Sequence, residues 1–282
     1  MDFTFCSDKS DASIGLGAIM TIGVFDSGVG GLTVLAALRE ALPDADLLYL
    51  GDTARVPYGS RSAQTVAHYA SDCARWLLAR GCEQVVIACN TASAYGADSV
   101  CQLAQDLPVF GVVRAGASAA KRLGGAQGVA VLATRGTVAS GAYERALADL
   151  LPGTPIRQVA CPLLAPMIEE GWYDHPAIEA AIATYLSELD GFAYDRLILG
   201  CTHYPLIRER LQHVVGDGVR VIDSSHAIAA TIPSDSSSQG SGQTQLAFSD
   251  DPELSMPVAQ RIFKYPIHSV MRMSWDTDLA EQ

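Results

Sequence analysis

Positive charge is scarce in this chain. Its 19 lysines and arginines stand against 31 acidic residues, a net charge of −12. No basic stripe is available to neutralise phosphates, which argues against a nucleic-acid partner. A small anionic substrate stays open, because it needs only local donors. Charge of both signs together is thin, at 18% against 49% hydrophobic residues, so the chain buries a core. No apolar run reaches the ~20 residues of a membrane span, and no membrane association is expected. Ile14–Phe25 is apolar enough to imitate a signal-peptide core. The segment before it carries Asp2, Asp8 and Asp11 against Lys9 alone, the wrong sign for a signal. Residues 1–19 therefore read as an extension ahead of the first strand, with Met20 as an alternative start. The seven cysteines lack the paired spacing of a disulfide framework, so free thiols in a reducing, cytoplasmic setting are expected.

What the chain does have is an alternation of strand and helix signals. Short apolar runs at Ile22–Phe25, Leu47–Leu50, Val85–Ala88 and Val109–Val113 are separated by helical stretches at Leu32–Ala41, Gln64–Ala79 and about Ala92–Leu103. The pattern then begins again. Strands are expected at Gly128–Ala133, Ile156–Ala160 and Leu197–Gly200, with helices near Ser118–Leu123, Ser140–Leu151 and Ala177–Leu189. Such alternation predicts parallel sheets with right-handed crossovers, an α/β fold. Two similar lobes are expected, each a mainly parallel sheet flanked by helices. One lobe spans residues 20–112 and is completed by about 224–265; residues 113–223 form the other, and 266–282 form a tail. Ser234–Gly242 reads as a flexible loop by composition. After it, Gln245–Phe248 suits a strand and Pro257–Phe263 a short helix, and the last fifteen or so residues carry no readable signal.

One short pattern is written twice. Gln84-Val85-Val86-Ile87-Ala88-Cys89-Asn90-Thr91 and Arg196-Leu197-Ile198-Leu199-Gly200-Cys201-Thr202-His203 align residue for residue. Each is a run suited to a strand buried on both faces, ending in a small residue, a cysteine and hydrogen-bonding side chains. Ligands of parallel α/β sheets sit where strands end, so both thiols belong at a binding crevice. Two thiols at one site suit chemistry on both faces of one carbon, the requirement for inverting a stereocentre. A lone cysteine is ordinarily a small buried hydrophobe, the reading given to Cys6, Cys73, Cys82, Cys101 and Cys161.

Asp26-Ser27-Gly28-Val29-Gly30-Gly31 follows the first strand, and its glycines permit a tight turn and close backbone approach to an anion. A dinucleotide fingerprint needs a glycine at position 33, where Thr33 stands. Asp52-Thr53-Ala54-Arg55-Val56-Pro57-Tyr58-Gly59 is either an ordinary turn or one that aims backbone N–H groups at a carboxylate. Cys201 with His203 could start a zinc site, but no further ligand of suitable spacing stands nearby, so no metal is expected. Other readings are a hydrolase with one nucleophilic cysteine, a nucleotide-binding regulatory module and an idle relative that binds a partner protein.

Four strings in order, Gly23-Val24-Phe25-Asp26-Ser27-Gly28-Val29-Gly30-Gly31, Pro57-Tyr58-Gly59, Ala88-Cys89-Asn90-Thr91 and Gly200-Cys201-Thr202-His203-Tyr204-Pro205, resemble those of the glutamate racemases. These belong to the wider group of cofactor-independent aspartate/glutamate racemases. The likeness runs from about Thr21 to Asp223. It implies two pseudo-symmetric lobes with the site in the cleft between them, no cofactor, and interconversion of L- and D-glutamate for peptidoglycan synthesis. It further implies that Cys89 acts on D-glutamate, supported by Asp26. Cys201 would act on L-glutamate, supported by His203 and Glu169, which is preferred to Glu170 because the family's acid directly follows the apolar pair. Asp26, Ser27, Pro57, Tyr58, Gly59, Asn90, Thr91, Thr137, Thr202 and His203 would hold the substrate. The resemblance is compatible with a homodimer and with regulation by a cell-wall precursor. The extension at 1–19, the length of the Ser234–Gly242 loop and the C-terminal segment depart from the family pattern.

Overall fold

The computed structural model describes residues 21–233 and 240–275. The extension at 1–19, Cys6, residues 234–239 of the Ser-rich loop and residues 276–282 lie outside the described residues. From Thr21 the chain forms β1 (Thr21–Asp26), α1 (Leu32–Ala41), β2 (Asp46–Gly51), a 3₁₀ turn at Tyr58–Ser60, α2 (Ala63–Ala79), β3 (Gln84–Ile87), α3 (Asn90–Ala104) and β4 (Val109–Gly111). A second run follows: α4 (Val112–Leu123), β5 (Gly128–Ala133), α5 (Arg135–Ser140), α6 (Ala142–Leu150), β6 (Ile156–Ala160), α7 (Leu164–Glu169), α8 (Pro176–Ser187), β7 (Tyr194–Gly200), α9 (Arg208–Val215) and β8 (Arg220–Asp223). Then come α10 (Ser224–Ala229), β9 (Thr244–Phe248), α11 (Pro252–Ile262) and β10 (Ser269–Arg272).

The strands make two sheets, ordered β10-β9-β2-β1-β3-β4 and β6-β5-β7-β8, and every described pairing is parallel. Within them β2-β1-β3-β4 and β6-β5-β7-β8 share one topology, so β3 and β7 are equivalent strands. Phe25 pairs with Ile87 and Ala133 with Gly200, one residue or two before the polar strings begin. Because all strands of a sheet point the same way, their C-terminal ends gather along one edge, and that edge carries the polar residues.

Buried apolar side chains hold this arrangement in three layers. A central core joins Ile22, Val24 and Val86 of the first sheet to Val129, Val131 and Ile198 of the second through α1, α4 and α10. The outer face of the first sheet is covered by Trp76, Leu77 and Val100, and that of the second by Leu164, Ile178 and Leu211. All four residues of β3 are buried, and each large aliphatic side chain so placed stabilises the fold by about 1.5–3 kcal/mol.

Several elements differ from the sequence expectation. The strand expected to reach Val113 stops at Gly111, and α4 begins at Val112, six residues before the expected helix. A short apolar run has no period by which to tell strand from helix, and Val112, Val113 and Ala117 turn to the central core only in helical register. The helix expected at Ser140–Leu151 forms as α6, Ala142–Leu150, and the short helix α5 before it carried no expectation; Gly141 at φ 64° takes the left-handed conformation that separates the two. The segment before Glu169, for which no helix is expected, forms α7 and includes Pro166, Met167 and Ile168. The helix expected from Pro257 begins at Pro252, and β10 forms where no signal was legible. Among the other cysteines, Cys73, Cys82 and Cys161 are buried and free, as expected. Cys101 is half-buried and disulfide-bonded, so the expectation of a free thiol fails there.

Candidate active site

The ends of β1 and β3 and those of β5, β6 and β7 enclose one cavity of about 340 Å³. Cys89, Asn90 and Thr91 line it from the first sheet, as do Ser27 and the turn Pro57-Tyr58-Gly59. Cys201, Thr202 and His203 line it from the second, with Glu169 on α7. Eleven residues singled out in the sequence thus meet at one place.

Cys89 owes its position to the junction of β3 and α3. The strand ends at Ile87, and Cys89 caps the helix: its Sγ accepts the Ala92 N–H at 3.4 Å. A helix N-terminus favours negative charge by roughly 0.3–1 kcal/mol. Sγ also lies 3.5 Å from Ser27 Oγ, as a donor to it. Burial, the charge of Asp26 and the proximity of Cys201 outweigh the Ala92 and Ser27 hydrogen bonds, and the Cys89 thiol is pushed up to about 12. Cys89 is therefore held as a neutral thiol, poised as a proton donor.

Cys201 has a different escort. Its Sγ is 3.7 Å from His203 Nδ1, and His203 Nε2 is 2.8 Å from Glu169 Oε1. Burial alone would push the imidazolium down. Hydrogen bonds to Cys201 and Glu169 overcome that and carry it up from 6.5 to about 10. His203 is thus a cation through the neutral range, placed between a thiol and a carboxylate. Glu170, the alternative acid, is exposed and caps the end of α7. Arg261 of α11 donates to the Glu169 backbone carbonyl at 2.8 Å, fixing the end of α7.

Two expected site residues do not reach the cavity wall. Asp26 is fully buried behind it, accepting the Gly28 N–H at 2.9 Å and the Thr202 hydroxyl at 3.4 Å. Burial holds its carboxyl above the ordinary range, against the pull of His203 and these donors. Thr137 is also fully buried; its hydroxyl sits 3.0 Å from those of Thr91 and Thr134, which both line the wall. Tyr58 lines the cavity, while its hydroxyl donates to Asp52, away from the cleft. Asn90 Oδ1 accepts the Tyr143 hydroxyl at 2.7 Å, and its buried Nδ2 has no partner among the described residues, leaving a donor for a ligand oxygen.

Sequence reasoning missed Thr134, Arg135, Cys161 and Pro162, which also line the cavity. Thr134 and Cys161 follow β5 and β6 directly, and the strand-end rule that found the cysteines would have found them. Thr33, where a dinucleotide site would have glycine, instead joins the two halves. Its hydroxyl donates to the Thr202 carbonyl at 2.9 Å and meets Ser225 Oγ at 3.0 Å. Cys201 and His203 are not part of a metal cluster: among the described residues no group of three or more suitable ligands stands together.

Known proteins place this geometry. Residues 31–232 match the family model described as Asp/Glu/Hydantoin racemase. The chain belongs to the Asp/Glu/Hydantoin racemase family. Within it, the chain is 44% identical to a glutamate racemase of Aquifex aeolicus over 231 residues, 82% of this chain and 89% of that one. It is 31% identical to the glutamate racemase of Francisella tularensis, whose structure was solved with D-glutamate, at a TM-score of 0.83 over 92% of this chain and 99% of that one. At 27% identity and a TM-score of 0.75 it resembles Escherichia coli glutamate racemase, solved with L-glutamate and the activator UDP-MurNAc-ala, over 91% and 99% of the two chains. The chain thus shares the racemase fold, two parallel sheets flanked by helices.

Removing the acid behind His203 has a testable consequence. In Glu169→Gln the imidazolium loses a charged partner, and its pKa falls from about 10 towards its ordinary value. A raised histidine pKa stabilises the charged form at low pH and loses that contribution as pH rises through the folded value. The alkaline limb of the pH–rate profile is therefore expected to move down by a unit or more, read from initial rates between pH 6 and 10.5. An unmoved limb would remove His203 from the titration that governs the reaction.

Proposed function

We propose that this racemase interconverts L- and D-glutamate, using two thiols on opposite faces of the α-carbon. The observation that carries this reading is the pair of equivalent strand ends, after β3 and β7, that bring Cys89 and Cys201 to one cavity. The names of the relatives in Aquifex, Francisella and Escherichia support glutamate as substrate.

An amino acid's α-proton is very weakly acidic, so the base must be strong and the carbanion held. Starting from L-glutamate, the Cys201 thiolate takes the α-proton, and the C–H electron pair passes into the carboxylate as it becomes an enediolate. The Cys89 thiol then returns a proton to the opposite face and is left as the thiolate. Starting from D-glutamate, the roles reverse. The two cysteines stand in different environments, which suits this division: Cys89 is held as a neutral acid and Cys201 lies beside a cation. General-base catalysis supplies about 10²–10⁴-fold. Donors from Ser27, Asn90, Thr91, Thr202 and the backbone N–H groups of Tyr58 and Gly59 provide further stabilisation at the carboxylates. Asp26 and Thr137 act from behind the wall, Asp26 through Thr202 and its charge on Cys89, Thr137 by orienting Thr91.

The same reading places the enzyme in the cytoplasm, where D-glutamate feeds peptidoglycan synthesis. The activator bound to the Escherichia relative supports control by a cell-wall precursor. Cofactor-free incubation with L-glutamate tests the proposal: circular dichroism is expected to decay to zero, and the signal of L-aspartate to persist. Persistence of the L-glutamate signal with folded protein, both without and with added UDP-MurNAc-ala, would overturn it.

A further inference from the structure

Asp52 is buried at the end of β2, outside the cavity, and its two carboxylate oxygens are fully subscribed. Oδ2 accepts from Arg55 Nε at 2.6 Å and from the Tyr58 hydroxyl. Oδ1 accepts from Ser249 Oγ at 2.7 Å and from the indole N–H of Trp275 at 2.9 Å. One carboxylate therefore joins two distant parts of the chain. On one side is the Pro57-Tyr58-Gly59 wall of the cavity; on the other is the segment after β10.

The connection is stiff. The Arg55 guanidinium lies between the Tyr69 ring, at 4.1 Å, and the Trp275 ring, at 3.6 Å, and also donates to Asp72 at 2.8 Å. The Tyr58 and Tyr69 rings are tilted against each other at 5.4 Å. Beyond Tyr58 the wall meets the second sheet, where a Cβ added to Gly59 would stand 2.9 Å from Thr134 Cβ. The turn is thus packed against Thr134 at its far end and tied at its near end through Tyr58, whose hydroxyl donates to Asp52.

We infer that Trp275, Asp52 and Tyr58 form a positioning relay, by which the C-terminal segment sets the wall that receives a substrate carboxylate. None of the three is a catalytic residue. The Tyr58 hydroxyl is engaged by Asp52, so its effect on substrate passes through the position of its own backbone and that of Gly59. The inference rests on the glutamate racemase reading above. Moving a binding wall weakens ground state and transition state together, which raises KM with little change in kcat.

Trp275→Phe keeps an aromatic ring on Arg55 and removes the N–H; Tyr58→Phe keeps the ring in the wall and removes the hydroxyl. Each full-length single variant is expected to raise KM for both enantiomers of glutamate about five- to tenfold, with kcat within about threefold of the parent. The Kd for D-glutamate, by calorimetry, should rise in parallel. Because the signal passes through Asp52, adding Trp275→Phe to Tyr58→Phe is expected to raise KM no further. A merely structural tryptophan would lower the melting temperature and leave KM and Kd alone. An unchanged KM in Trp275→Phe, or single effects that multiply in the double variant, would overturn the relay while leaving the racemase reading intact. Failure of the parent protein to turn over or bind glutamate would overturn both.

Discussion

Cys89→Ala is expected to lower racemisation of glutamate by at least about 10³-fold in both directions, and Cys201→Ala to do the same. Each enantiomer needs one thiol to accept its proton and the other to supply a new one, so neither half suffices for turnover. The two variants differ in what they retain. Cys89→Ala keeps Cys201 beside the His203 imidazolium and Glu169. It can still take the α-proton of L-glutamate and return a solvent-derived one to the same face. In deuterated water it is expected to label L-glutamate without inversion and to leave D-glutamate unlabelled. Cys201→Ala is expected to show the converse, at a lower rate because the remaining Cys89 thiol is pushed up to about 12 by burial and by Asp26. NMR of the α-proton, enantiomer by enantiomer, reads both outcomes. Equal labelling of both enantiomers by either variant would show that one group serves both faces.

Gly30→Ala is expected to be the most damaging change outside the thiols, although Gly30 carries no chemistry. A Cβ at that position would stand 2.4 Å from Thr202 Oγ1 and 2.5 and 2.6 Å from His203 Cε1 and Nδ1. None of these atoms can yield freely. The Thr202 carbonyl is held by Thr33, its hydroxyl bonds Asp26, and the far side of the His203 ring bonds Glu169. The methyl must push the turn after Cys201 away from the first sheet. Overpacking of this kind costs about 1–3 kcal/mol of stability, and a displacement near 1 Å costs about 10²-fold in rate. A fall of that size in kcat is expected, with a lowered melting temperature. Gly218→Ala, where an added Cβ meets nothing within 4 Å, should match the parent protein and serves as the comparison. Full activity in Gly30→Ala would mean that the cleft closes differently from the geometry described.

Much of this was legible in the chain itself, for identifiable reasons. The repeated apolar run ending in cysteine announced β3 and β7 because strands buried on both faces must be continuously apolar. The same rule placed Asp26 at a strand end. The sequence could not tell whether a strand-end side chain enters the cavity or stands behind it. Asp26 and Thr137 stand behind because Thr202 and Thr91 come between. Nor could it show that the Tyr58 hydroxyl turns to Asp52, since that depends on Ser249 and Trp275, almost two hundred residues away or more. The family pattern favours Glu169 over Glu170, and the register of α7 supplies the physical reason: Glu169 reaches His203 while Glu170 is exposed. The short elements β8 and α10 carried too few residues to reveal a period. Yet α10 joins the central core between the two sheets, with Ala227 and Ile228 buried in it.

The central claim is that one thiol serves each face of the α-carbon, and initial-rate deuterium incorporation tests it most directly. L- and D-glutamate would be incubated separately with the unmodified protein in deuterated water and quenched at a few per cent conversion. The two enantiomers would then be separated and their α-positions read by NMR. With two thiols, each proton delivered comes from the face opposite the one removed. Product is therefore expected to carry deuterium from the first turnover, while recovered substrate remains protiated. If recovered substrate gains deuterium as fast as product does, a single base is returning protons to both faces, and the two-thiol account is contradicted.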